Sequence, residues 1–247
     1  IQHVTITNAD VVGNARVGIL VGSAQPYTTI KDVSVGGKVE GESSVGGLAG
    51  VNANLPSKGP SVIRRSTAEV AVNGTQFAAG GLVGSNSGNI RASAAAGNVN
   101  GKKNVGGLVG QNIGYMFDTY ADVRVSGDEF VGGLIGSSND RSGIPGPTTL
   151  RSYAVGPVNG DQYVAGIISF ADSGSYGSLY WDTTVSGATD SDKGTGLTTE
   201  EMTGPAAKSN MPGLAFGSVW KTQSNDYPIL AWQNDGVDYN KGGAKNK

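Results

Sequence analysis

The sequence predicts an all-β fold: a parallel β-solenoid (β-helix) of about six to seven coils, with a repeat of about 26 residues and a C-terminal cap. Three observations predict it. First, the hexapeptide VGGLVG at Val105–Gly110 recurs as VGILVG at Val17–Gly22, VGGLAG at Val45–Gly50, AGGLVG at Ala79–Gly84, VGGLIG at Val131–Gly136 and a degenerate VAGIIS at Val164–Ser169. Successive starts lie 28, 34, 26, 26 and 33 residues apart, a basic unit of 26 with three insertions. Second, Gly supplies 41 of 247 residues without collagen's three-residue period. Third, no unit contains a helical apolar stripe of 10–12 residues.

Each unit reads as three short strands and three turns. An apolar residue (Ile30, Ile63, Ile90, Met116, Leu150) opens a β-prone run about 15 residues before the Gly-rich strand. A V-x-G piece follows at Val39, Val72, Val99, Val125 and Val158, six residues before the next Gly-rich strand in all but the second unit, which needs seven. Val11-Val12-Gly13 fits this slot in the first unit, and Val185-Ser186-Gly187 is assigned to it in a seventh. The Asn-Gly and Ser-Gly pairs of V-x-G are expected to make turns, because Gly and Asn tolerate positive φ. Three strands in 26 residues bury no core alone; stacking equivalent strands roughly 4.8 Å apart does. The glycines of VGGLVG then permit close backbone approach or a tight corner. Asn52, Asn86 and Asn112 each lie two residues beyond the repeat's last Gly. They either bond along the stack as an amide ladder or each satisfy their own turn.

Residues 1–177 are expected to form the repeats, 178–239 a final coil and capping segment, and 240–247 a polar flexible tail. Trp181, Trp220 and Trp232 all fall in the capping segment, where Thr198 or Thr199 is a helix N-cap with Glu200 and Glu201 in the first turn. Asn52–Pro60 and Asn139–Pro147 are loop insertions. No basic segment followed by an apolar run opens the chain, so no signal peptide is expected. The start directly in repeat-like sequence is what a mature product or a fragment of a longer protein would show.

The Gly-Leu-x-Gly cores at Gly47–Gly50, Gly81–Gly84, Gly107–Gly110 and Gly133–Gly136, with intervening pieces such as SNSGNIRASAAAGNVNGKKNVGGLVG, resemble the GLUG repeat. The resemblance spans roughly residues 1–232. It departs in the first copy (Ile19 for Gly) and the sixth (Ala165, Ile167, Ser169). That family occurs in filamentous-haemagglutinin-like adhesins and in N-terminal parts of some immunoglobulin A-cleaving metalloproteases. The resemblance implies a β-solenoid outside the cell and carries over no catalytic residue.

The absence of cysteine excludes disulfides, thiolate metal sites and thiol catalysis. A net charge of −2 argues against nucleic acid as the main partner. No run of about 18 apolar residues is present, so no membrane insertion by a helix is expected. His3 is the only histidine and no HExxH occurs. No cofactor is expected. Asp190 and Asp192, with Gly194, form a weak calcium candidate that lacks the closing bidentate Glu and carries Lys193.

Lys31, Arg64, Arg91 and Arg151 each follow the apolar residue that opens the second strand, with Phe117 in that slot of the fourth unit. Stacking places them in one outer row. Like charges in a row repel, so the row is read either as a site for an acidic glycan or protein or as a solvated edge. The expected function is a non-catalytic adhesive or structural module, secreted or on a bacterial surface, binding a glycan or surface protein or acting as a stalk. Two alternatives stand beside it. One is a carbohydrate-active enzyme using carboxylates such as Asp118, Asp122, Asp128 and Glu129. The other is a subunit that assembles with other copies of itself into a fibre or matrix.

Overall fold

The computed structural model describes residues 1–55, 57–139, 146–188 and 193–234. Parallel strands dominate, in one 13-stranded and one six-stranded sheet. Repeat equivalents pair in register. Val39, Val72, Val99, Val125 and Val158 form one row, and Ile30, Ile63, Ile90 and Met116 another; all are buried.

The solenoid expectation is corrected by the pairing of the larger sheet, which closes on itself. Thr29–Gly46, Thr67–Gly80, Ala94–Gly106, Tyr120–Gly132, Thr148–Val155, Tyr115–Phe117, Asn89–Arg91 and Val62–Arg64 follow one another in a ring, and the last pairs back onto the first. The result is a closed eight-stranded parallel β-barrel rather than a β-helix with separate ladders. Two long strands make the closure. Thr29–Gly46 pairs through residues 29–31 with Val62–Arg64 and through residues 34–46 with Thr67–Gly80. Thr148–Val155 likewise pairs with both Tyr115–Phe117 and Tyr120–Gly132. The sequence shows no break between these halves, and its period counts equivalent strands without revealing which are continuous.

Glycine acts differently in the two motifs. In V-x-G the glycine makes no turn: Gly41, Gly74, Gly101, Gly127 and Gly160 lie within strands, in register. A Cβ would fall 2.7 Å from a Val17 methyl at Gly41 and 2.7 Å from a Val105 methyl at Gly127. The side chain is absent because a core valine occupies its space. In VGGLVG the second glycine stacks backbone on backbone: a Cβ on Gly81 would lie 2.3 Å from the Gly107 carbonyl oxygen, and one on Gly107 2.1 Å from that of Gly133. Beside it the leucines run as a ladder, the Leu48, Leu82 and Leu108 N–H groups each donating to the next leucine carbonyl at 2.9 Å. At Gly166 the neighbour becomes the Trp181 indole, which covers the core at that end.

Both readings of the asparagines hold. Asn52 Nδ2 donates to Asn86 Oδ1 and Asn86 Nδ2 to Asn112 Oδ1, each at 2.7 Å. Asn86 also donates to the Gly88 carbonyl and Asn112 to that of Gly114. A second polar file escaped the sequence reading. Ser66, Ser93, Thr119 and Ser152 are fully buried. Ser66 and Ser93 each return a hydroxyl to the carbonyl two residues back, and the Ser93 hydroxyl accepts the Ser66 N–H.

The C-terminal segment begins where Trp181 covers one end of the core, and its later residues pack on a face lined by three tyrosines. Tyr120, Tyr153 and Tyr180 align in register there, and Met202, Met211, Leu214, Trp220 and Leu230 pack over them as a second core. Tyr153 donates to the Pro228 carbonyl and Trp232 to that of Ala92. The expected N-cap is present: Thr198 and Glu201 form a capping box on Thr199–Met202. Val185, assigned to a seventh V-x-G, is instead in a helical turn, Thr183–Ser186. The first insertion forms a small hairpin, Asn54–Leu55 against Gly59–Pro60. Most of the second, and the tail, fall outside the described residues.

Two tests follow from this packing. Asn86→Ala removes the acceptor of Asn52 and the donor to Asn112 from a buried file, and should lower unfolding free energy by about 2 kcal/mol, read as a shift of the urea midpoint. Burial pushes the Tyr153 hydroxyl well above its usual range, and burial with the Asp182 hydrogen bond does the same for Tyr227. Raised folded-state values mean that this stability is fully present below about pH 10, the unfolded tyrosine value, and is lost as pH rises beyond it. Tryptophan fluorescence should report release of the segment in that alkaline window, and Tyr153→Phe should shift its onset.

Candidate functional site

A column of left-handed residues organises the face that carries the predicted basic row. His3, Asp32, Arg65, Ala92, Asp118, Arg151 and Ser178 occupy equivalent corners, each with φ between 45° and 55°. Such a conformation is costly for residues with a Cβ. Here acid and base succeed one another. Arg65 Nε donates to Asp32 Oδ1 at 2.6 Å, and Arg151 grips both Asp118 oxygens at 2.8 Å. Lys31 Nζ lies 3.1 Å from Asp32, whose carboxylate is buried. The hydrogen bond to Asp118 also raises the Arg151 guanidinium above its usual value.

The four predicted basic residues therefore divide. Lys31, Arg64, Arg91 and Phe117 do share one row, in register. Arg151 does not: Leu150 pairs with Phe117, and Arg151 sits one residue on, at the left-handed corner. The second insertion moves the register by one, so Thr149 rather than Leu150 continues the apolar row of Met116. Asp32 and Arg65 were missed, and Asp118 was considered only as a carboxylate for glycoside cleavage, since neither Gly nor Asn marks these corners.

Lys31 and Arg151 each have a carboxylate partner, Lys31 sharing Asp32 with Arg65. Arg64 and Arg91 are exposed neighbours on paired strands, and neither meets a carboxylate among the described residues. With Thr29, Val62 and Asn89 they line a depression of about 350 Å³. The Arg91 guanidinium lies 5.0 Å and that of Arg151 5.6 Å from the Phe117 ring centre, and Phe117 stacks on Tyr115 at 6.4 Å. Cations over an aromatic face are held without losing their charge. The site offers two planar donor forks side by side, the geometry that carboxylate, sulfate and phosphate accept in bidentate fashion.

The carboxylates considered for glycoside cleavage do not converge on one site: Asp118 and Asp122 lie apart from the groove that Asp128 and Glu129 share. Asp118 is engaged by Arg151 and by Trp220 Nε1 at 3.4 Å. Burial and the nearby Asp226 raise the Asp122 pKa. Among the described residues no group of three His, Asp or Glu is placed to hold a metal ion; Asp190 and Asp192 lie outside them. No described helix is long and apolar enough to cross a membrane.

No family model matches the chain, so the GLUG and adhesin readings find no support there. A 61-residue stretch, 24% of this chain, is 44% identical to halomucin of Haloquadratum walsbyi and spans 1% of that protein. The crystal structure of a Bacteroides ovatus chain, provisionally named an immunoglobulin A1 protease, is similar over 92% of this chain and 67% of that one. Its TM-score is 0.53 at 18% identity, a likeness of fold alone.

The division of the basic residues is open to direct test. Arg151→Gln should cost about 1–2 kcal/mol once its partial exposure is allowed for. Arg64→Gln and Arg91→Gln should stay within about 0.5 kcal/mol of the parent. Denaturant midpoints of the three variants check this.

Proposed function

We propose that the chain is a non-catalytic binding module, secreted or displayed on a bacterial surface, that holds an acidic glycan on Arg64 and Arg91. The observation that carries this reading is the pair of adjacent guanidinium groups without a carboxylate partner among the described residues, on a face where Lys31 and Arg151 do have one. Side-by-side cations on paired strands repel one another, and an anion that bridges them relieves that repulsion. The aromatic pair Tyr115 and Phe117 adds flat apolar surface for a sugar ring beside the charge.

Binding to heparin, with dextran as the uncharged control, tests the reading. The protein should bind heparin and not dextran through this face, with affinity falling as salt rises. The double variant Arg64→Gln/Arg91→Gln should bind heparin about tenfold or more weakly, equivalent to about 1.4 kcal/mol. Lys208→Gln, an exposed charge on the C-terminal segment, should leave binding unchanged. Equal loss in both variants, or none in the double variant, overturns the proposal.

A further inference from the structure

A second left-handed column points to a second site. Arg16, Ser44, Ala78, Asn104, Phe130 and Tyr163 occupy equivalent corners with φ between 53° and 58°. Serine, alanine and asparagine keep this column small in its middle, and asparagine tolerates the conformation well. Phe130 and Tyr163 are bulky residues in a conformation unfavourable to them, and burial does not repay it: Tyr163 is 61% exposed. Their rings stack at 4.8 Å, 12° from parallel, and Phe170, 38% exposed, leans on Phe130 at 5.3 Å. The strand that bears Tyr163 is the last in its sheet, pairing only with Tyr120–Gly132 among the described residues.

Polar side chains lie directly before these rings in sequence. Asn100, Ser126 and Asn159 align in register on one side of the glycine row Gly101, Gly127 and Gly160. Asp128 and Asp161 stand beyond it. Together with Gly127 and Gly160 these residues line a trough of about 400 Å³ with Asn, Ser and Asp on its walls. The same two aspartates open onto a groove of about 640 Å³ with Gln76, Lys102 and Gln162. Charge distinguishes this groove from the arginine row. Lys103 is paired with Glu129 at 2.9 Å, so Lys102, Asp128 and Asp161 leave an excess of one negative charge. Amide, hydroxyl and carboxylate groups of this kind exchange hydrogen bonds with sugar hydroxyls, and exposed aromatic faces pack on the apolar face of a pyranose.

We propose that the trough and the Phe130–Tyr163–Phe170 cluster form a binding site for an uncharged oligosaccharide, distinct from the arginine row. Native affinity gels containing dextran, galactomannan, mixed-linkage β-glucan or xylan test it. The protein should be retarded in at least one gel, independently of salt. Tyr163→Asn should weaken that retardation about tenfold while leaving the thermal midpoint unchanged or raised, since asparagine suits the left-handed corner. Tyr163→Phe, which keeps the ring, should retain it. The Arg64→Gln/Arg91→Gln variant should be retarded as the parent is, which separates failure of this site from failure of the arginine site. No retardation in any of the four gels, retardation that survives Tyr163→Asn, or retardation lost with the arginines overturns the proposal.

Discussion

In-register parallel pairing makes each residue the neighbour of its own equivalent, and that constraint governs the rest of the structure. A position is stable only if a side chain tolerates a copy of itself roughly 4.8 Å away. Valine and leucine do so by packing, and they fill the core rows. Asparagine does so by presenting a donor on one side and an acceptor on the other, which suits it to a buried file. Glycine does so by vacating space that the backbone or a valine then occupies. Charge does not, and the first left-handed column resolves the conflict by setting Asp32 against Arg65 and Asp118 against Arg151. Arg64 and Arg91 are conspicuous because they break this rule in the neighbouring row.

Much of the register was legible in the sequence. The period located the Val, Ile and Leu rows, the asparagine file and the alignment of Lys31, Arg64, Arg91 and Phe117. The closure was not, because pairing through both halves of Thr29–Gly46 and Thr148–Val155 leaves no mark in the spacing. The corners were misplaced because turn chemistry was sought at Asn-Gly and Ser-Gly. The chain bends instead at residues such as Asp32, Arg65, Ala78 and Phe130, whose types do not announce a positive φ. Arg151 was misassigned for a related reason: an insertion before it shifts the pairing by one residue. The side-docking of the C-terminal segment depends on Tyr120, Tyr153 and Tyr180 sharing a face, a match visible only once the register is known.

The two proposed sites differ in the sign of their charge and in their aromatic geometry. At the arginine row the ring of Phe117 lies near the cations and supports them. At the trough Tyr163 ends its row with the greater part of its surface in solvent. One scaffold thus presents two chemistries, because successive repeats replace the same corner or row residue while the rows behind it stay apolar.

The asparagine file has a direction. Ser61 donates into Asn52, Asn52 into Asn86, Asn86 into Asn112, and Asn112 Nδ2 points on to Thr149 at 3.5 Å. Every amide is turned the same way, so their moments add, each polarising the next in a poorly screened interior. Electrically the file is a single long dipole threaded through apolar surroundings, with its positive end toward the later repeats. The molecule thereby carries a built-in polarity that its nearly neutral overall charge conceals.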